Sequence, residues 1–223
     1  MIGALATLAL SAACAEGAGG GKPGPASRGL REGRKGLKLI RVPKTRQATD
    51  YTCGVAALQS VLGWFGMDLR EDELAKELKP DPQEGTDFRR MAKAAEARGL
   101  AVSVRKDATL SELRAALDQG KPAILSVQAW AGSPGAEGPR AGGKVDYAVD
   151  WKNGHYVVAI GYDAKDFYFM DPSLLGHYGA IPAAELPARW HDEESPGERI
   201  QHLMLVFSKK APPRDPEAIV PIE

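Results

Sequence analysis

Cys53 has the surroundings that a nucleophilic thiol needs. It is followed by Gly54 and by apolar residues at three- and four-residue steps, which predict a buried helix that begins at the thiol. The start of a helix carries partial positive charge and unpaired N–H groups, which favour a thiolate and can stabilise an oxyanion on an attacked carbonyl. Gly54 would let a substrate approach closely. Taken alone, Cys53 is more typical of an inert buried cysteine at a helix start.

His155 and Asp171 have the types and positions of a base and of the group that orients it, both of which a thiol nucleophile requires. His155 stands at the start of the apolar stretch 154–163, and Asp171 closes the next one, 165–172, sixteen residues after the histidine. Two such strands paired as a hairpin would bring both side chains to one edge of a sheet. Each residue alone is typical of a surface or a turn, so the combination with Cys53 is what indicates catalysis.

Gln47 is a candidate for stabilising the oxyanion. It precedes Cys53 by six residues, in a stretch rich in polar side chains. An amide held over the start of the helix could donate a second hydrogen bond to the developing negative charge. Loop glutamines are common, so this residue carries weight only beside the other three.

A glycine-rich stretch, 131–152, looks like an inserted loop just before His155. We expect it to overhang the cleft, where Trp130 and Trp151 at its ends could line a substrate groove with Gly54 and Gly154. The alternative is that these aromatic residues simply pack on the sheet. The other three histidines have no spacing typical of metal ligands, and nothing in the sequence indicates a cofactor.

The order of elements predicts an α+β domain in which helices pack on a mainly C-terminal antiparallel sheet. We expect Thr86 to cap the third helix and Gly99 to end it. The predicted helices are 53–65, 69–78, 85–99, 108–122 and a short one at 182–190, and the predicted strands are 37–43, 100–106, 123–130, 154–163, 165–172 and 199–207.

The two ends of the sequence differ from its centre. Residues 1–14 are apolar and end at Cys14 after small residues, which is typical of an export signal and resembles a bacterial lipoprotein cleavage box that would lipidate Cys14. A Gly-rich linker, 15–36, and a Pro-rich tail, 209–223, would flank a folded domain over 37–208. We expect export to the periplasm or cell envelope, with a membrane tether through Cys14; an uncleaved apolar N-terminus is the alternative.

Charge and cysteine content exclude some functions. The sequence has 29 basic and 29 acidic residues, so it lacks the cationic excess that nucleic-acid binding uses. Two cysteines exclude a disulfide-rich scaffold and a cysteine-based zinc ribbon.

Residues 40–176 resemble the double-glycine leader peptidases, which are papain-like cysteine peptidases. The resemblance lies in the ordered set QATDYTCG, GTDF, GHYVVAIGYD and FMDP. It implies a papain-like α+β fold, with Cys53 as nucleophile, His155 as general base and acid, Asp171 as orienting carboxylate and Gln47 as oxyanion donor. It also implies a peptide or protein substrate with small residues at the cleaved bond. The chain differs from transporter-fused members in that the sequence contains no transporter domain, and it is more similar to stand-alone, exported relatives.

Three functions fit these residues. The first is a cysteine peptidase that forms an acyl-enzyme. The second keeps the nucleophile but transfers the acyl group to an amine, as a transpeptidase does, or acts as an amidase. The third is a non-catalytic peptide-binding domain, which would not need all four site residues.

Overall fold

The computed structural model describes residues 37–132, 138, 140–141 and 144–209. The predicted export signal and linker, and all but the first residue of the predicted tail, lie outside the described residues.

A six-stranded antiparallel sheet forms the centre of the domain. The strand order is β1-β10-β2-β5-β6-β7, and every neighbouring pair is antiparallel. The two middle strands are almost wholly buried, as their continuous apolar sequences predict. The strands are β1 (Ala101–Arg105), β2 (Ala123–Gln128), β5 (Gly154–Tyr162), β6 (Asp166–Met170), β7 (Tyr178–Pro182) and β10 (Met204–Ser208).

Helix α1 is buried because it lies between the sheet and two other helices. It packs on β5 and contacts α2 and α3, so only polar Gln59 and the last turn reach the surface. The helices are α1 (Cys53–Trp64), α2 (Glu71–Leu78), α3 (Phe88–Glu96), α4 (Leu110–Asp118) and the single turn α5 (Leu186–Arg189). The predicted α+β class is therefore confirmed, and α4 lies beside β5 and β2.

The predicted strand at 37–43 is wrong. The segment lies against the sheet through buried Ile40 and Val42, but it joins β5 by one hydrogen bond, from the Ile40 N–H to the Ile160 carbonyl at 2.7 Å. Both edges of β5 are already paired with β2 and β6. The bulge between Ala159 and Gly161 leaves the Ile160 carbonyl free to accept the hydrogen bond from Ile40. The segment 37–43 passes so close to β5 there that no side chain would fit at Gly161.

The C-terminal part of the domain departs further from the sequence prediction. The expected strand 199–207 is split at His202, whose φ is +47°, so its first half pairs away from the main sheet. Two two-stranded sheets and strand β7 were missed. The small sheets pair β3 (Arg140–Ala141) with β4 (Lys144–Val145), and β8 (His191–Glu193) with β9 (Arg199–Gln201).

The third helix also begins differently from the prediction. Asp87, not Thr86, is its N-cap, because the Asp87 carboxylate accepts a hydrogen bond from the Arg89 N–H at 2.7 Å. The predicted stop at Gly99 is confirmed by its φ of +81°.

Candidate active site

Cys53 is the first residue of α1, as predicted, and is 7% exposed. The preceding Thr52 does not cap the helix with its hydroxyl, because that hydroxyl accepts a hydrogen bond from the Thr49 N–H at 3.1 Å. The N–H groups of the first turn therefore receive no side-chain cap. An uncapped helix start beside a thiol is the arrangement that can bind an oxyanion.

His155 and Asp171 form a buried pair. The His155 Nε2 and the Asp171 Oδ1 lie 2.7 Å apart, and the two residues are 6% and 8% exposed. The hairpin of β5 and β6 brings them together. Val158 stands opposite Met170, and His155 lies three residues before Val158 while Asp171 directly follows Met170, so both lie at the same end of the hairpin. The expected meeting of histidine and carboxylate at one sheet edge is thus observed.

The imidazole of His155 is also coupled to the thiol. Burial by itself lowers the pKa of His155, but hydrogen bonds to the Asp171 carboxylate and the Cys53 thiol raise it from 6.5 to about 10. Because Nε2 faces Asp171, Nδ1 is the nitrogen left for the thiol. At neutral pH the ring is an imidazolium between two groups that can carry negative charge.

A short turn connects Asp171 to Gln47. The Asp171 Oδ1 accepts the Ser173 N–H at 2.8 Å, and the Ser173 hydroxyl donates to the Gln47 Oε1 at 3.1 Å. The Gln47 N–H donates to the Pro172 carbonyl at 3.1 Å, and its Nε2 donates to the Thr49 carbonyl at 2.8 Å. Gln47 is therefore held at the base side of the site.

A cleft of about 500 Å³ opens beside Cys53. Trp151 and Gly154 line it, where the sequence placed a substrate groove. Trp130 does not: it adopts a φ of +64° and lines a second cavity of about 440 Å³, with Asp171 and apolar sheet residues in its wall. The first cleft has more acidic than basic lining residues: Asp50, Glu84, Asp192 and Glu193, of which Glu193 is paired with Arg199, against Lys152.

Gly54 has a different role from the one expected. It is buried, and a Cβ there would lie 2.7 Å from the Cβ of Thr86 and 3.1 Å from the ring of Tyr156. The small residue is required by packing within the protein, because Thr86, just before α3, and Tyr156 of β5 both lie against the start of α1. It does not provide an open path for a substrate.

The sequence prediction missed three residues beside the site: Tyr156, Asp192 and Glu194. The Asp192 carboxylate accepts the Ser126 hydroxyl at 2.5 Å and the Gln128 Nε2 at 3.1 Å. Burial raises the pKa of Asp192, against these hydrogen bonds. Two polar residues in the otherwise apolar strand β2 were the available signal, because buried polar groups need partners.

The described part of the chain contains no cluster of three or more histidine, cysteine or acidic side chains arranged to hold a metal ion. In the same residues, no helix has both the length and the hydropathy needed to cross a membrane.

The Peptidase_C39 like family matches residues 39–195, which begin in the segment that lies against β5 and end two residues after β8. The chain belongs to this family. That membership confirms the resemblance to double-glycine peptidases and makes the chain a cysteine-type peptidase. No curated protein is significantly similar to it.

Solved structures show the same fold. A C39-like peptidase from Bacillus anthracis has a TM-score of 0.54 at 17% identity, over 78% of this chain and 98% of that one. The peptidase domain of Streptococcus ComA, a bi-functional ABC transporter of a quorum-sensing pathway, has a TM-score of 0.51 at 18% identity, over 78% of this chain and 99% of that domain. The papain-like α+β fold of the C39 peptidases is thus confirmed.

Proposed function

We propose that this C39 peptidase hydrolyses peptide bonds through a Cys53–His155–Asp171 triad and a covalent acyl-enzyme. The observation that carries the proposal is the buried imidazole of His155, which binds a carboxylate at 2.7 Å on one side and the thiol on the other. An inert buried cysteine has no need of an ionised base held by a second charged group.

The residues support a complete sequence of steps. The Cys53 thiolate attacks the carbonyl carbon, and the resulting oxyanion accepts hydrogen bonds from the uncapped start of α1 and from the Gln47 Nε2. The His155 imidazolium protonates the leaving amine as the C–N bond breaks. His155 then removes a proton from water, which attacks the thioester, and it keeps that proton as the C–S bond breaks and the acid product leaves, which restores the thiolate and imidazolium.

Small residues at the cleaved bond are the expected preference, by the family's relation to double-glycine peptidases. The first substrates to test are therefore peptides with Gly-Gly or Ala-Gly before the cleaved bond. Export and lipidation at Cys14 extend the proposal to a peptidase that acts at the cell envelope.

The test uses a Gly-Gly peptide and intact-mass detection of the enzyme. We expect product masses of simple hydrolysis, a transient mass increase equal to the acyl fragment, and neither with Cys53→Ala. The same reaction with an added amine separates hydrolysis from transfer, since an amide product would show a transpeptidase. Binding of the peptide without cleavage or acylation by the wild-type protein would refute catalysis.

A further inference from the structure

Tyr156 links the two halves of the catalytic site. It follows His155 in β5, is 5% exposed, and its ring edge lies 3.1 Å from where a Cβ would stand at Gly54, the neighbour of the nucleophile. One side chain therefore separates the helix that carries the thiol from the strand that carries the base. A shift of this ring would change the distance between those two groups.

A carboxylate outside the proposed triad determines where the ring lies. The Tyr156 hydroxyl donates a hydrogen bond to the Glu194 Oε1. The same carboxylate accepts the Phe88 N–H at the start of α3, and the Glu194 N–H donates to the Glu198 carbonyl at 3.0 Å within the β8–β9 hairpin. Glu194 thus ties Tyr156 to two elements that lie beyond the sheet.

We propose that Tyr156 and Glu194 are a pair of positioning residues, whose hydrogen bond presses the tyrosine ring against Gly54 and so sets the place of the Cys53 thiol relative to His155. The proposal rests on the proposed function, because it assumes that the thiol and imidazole act together. Neither residue touches the bond to be cleaved, so their effect passes through the position of α1.

The ionisation of Glu194 supports a role near neutral pH. Burial raises the pKa of Glu194 to about 7, against the hydrogen bonds from Tyr156 and the Phe88 N–H. Asp192 of β8 and Asp87 at the start of α3 add to the rise.

The groups around the pair explain which of its members titrates. Burial and the charge of Glu194 raise the pKa of Tyr156, so the phenol stays protonated and remains the donor. Arg89, a cation in the first turn of α3, is paired with Asp87 and Glu198. A charged carboxylate accepts a stronger hydrogen bond than a neutral one, so the pair holds α1 more tightly above pH 7 than below it.

The experiment measures alkylation of Cys53 by iodoacetamide between pH 5.5 and 8.5, with peptide turnover alongside. Tyr156→Phe and Glu194→Ala each remove the hydrogen bond, and we expect alkylation at pH 7.5 to slow about tenfold, the value of one buried hydrogen bond. Glu194→Gln keeps an acceptor but cannot ionise, so its rate should stay near that of the wild type below pH 7 and lack the wild-type rise near pH 7. Tyr162→Phe is the matched control, because Tyr162 also lies in β5 and binds a carboxylate, Asp118 at 2.9 Å, away from the site.

Wild-type alkylation rates and an unchanged pH profile in Tyr156→Phe and Glu194→Ala would overturn the proposal, as would a Glu194→Gln profile that keeps the rise near pH 7. If Tyr156→Phe does not fold, the Glu194→Gln profile still decides. Failure of the proposed function looks different: the wild type would cleave no peptide, while alkylation of Cys53 would still depend on Glu194.

Discussion

The carboxylate of Asp192 lies directly over the Cα of Gly154, in the space that a side chain at residue 154 would need. Ser126 and Gln128 hold that carboxylate from the neighbouring strand β2. The backbone of β5 can therefore approach the β8–β9 hairpin only because residue 154 is glycine. His155 follows immediately, so the position of the base depends on this contact.

Gly154→Ala is expected to lower both stability and activity. The added methyl group must displace a hydrogen-bonded carboxylate, and overpacking of this kind costs roughly 1–3 kcal/mol in the free energy of unfolding. Gly120→Ala is the control: its φ of +68° makes alanine costly by about 1 kcal/mol, but nothing near it belongs to the site. Urea unfolding and kcat/KM, measured together, should show a loss of activity in the first variant alone. Equal activity in both would contradict the role of the contact.

Asp171→Asn should slow the alkylation of Cys53 at pH 6 by about tenfold or more, because the asparagine cannot stabilise the imidazolium of His155. His155→Ala should slow it at least as much. The measurement is intact mass after iodoacetamide at pH 6 and pH 8. Asp118→Asn, which removes an exposed carboxylate bound to Tyr162, should alkylate as the wild type does. Equal labelling of the wild type and the three variants at pH 6 would mean that Cys53 is an ordinary thiol.

The raised pKa of His155 predicts how stability changes with pH. The folded state holds the imidazole proton up to a pKa of about 10, whereas the unfolded state releases it near 6.5. The contribution to stability is therefore complete below about pH 6.5 and is lost as the pH rises through 10, at a slope of at most about 1.4 kcal/mol per pH unit. Urea unfolding between pH 6 and pH 10 should show that the difference in the free energy of unfolding between the wild type and His155→Gln shrinks as the pH rises. A difference in unfolding free energy that grows with pH would contradict a raised pKa of His155.

Gln47→Ala should reduce kcat by about 100- to 1000-fold with little change in KM, because the oxyanion exists only in the transition state and intermediate. Ser173→Ala frees the Gln47 Oε1 but leaves the donor in place, so a much smaller loss is expected. Steady-state kinetics on a Gly-Gly peptide measure both. A rise in KM at unchanged kcat would assign Gln47 to ground-state binding instead.

The charge of the cleft predicts a preference among peptides. Carboxylates outnumber Lys152 in its lining, so a peptide with lysine near the cleaved bond should have a kcat/KM several-fold above that of a matched glutamate peptide. The difference should shrink between 50 mM and 500 mM salt as the charges are screened. Glu84→Gln should also reduce the difference in kcat/KM between the two peptides. Glu77→Gln is the control and should leave the difference unchanged, because Glu77 lies on α2 and pairs with Arg98. Identical rates for both peptides at low salt would contradict the prediction.

Local sequence patterns encode the helix and the two strands that carry Cys53, His155 and Asp171. The helical period after Cys53 and the two apolar stretches that end near His155 and Asp171 each predict their element, and a short hairpin allows only one way to join those strands. Gln47 was proposed from its distance along the chain to Cys53, and its role in catalysis stays a prediction. His155 and Asp171 come together because a local hairpin joins them, whereas Cys53 meets His155, 102 residues later, only because α1 packs on β5.

The surroundings of those residues depend on long-range packing instead. Asp192 and Glu194 lie some forty residues after His155, in a hairpin too short and too polar to predict, and they reach the site because β8 packs on β2 and β5. Asp192 and Glu194 are partly buried because they pack against β2 and the start of α3, and such contacts cannot be read from a local hydrophobic period. The same long-range packing explains why Gly54 has no room for a side chain and why Trp130 lines the other cavity.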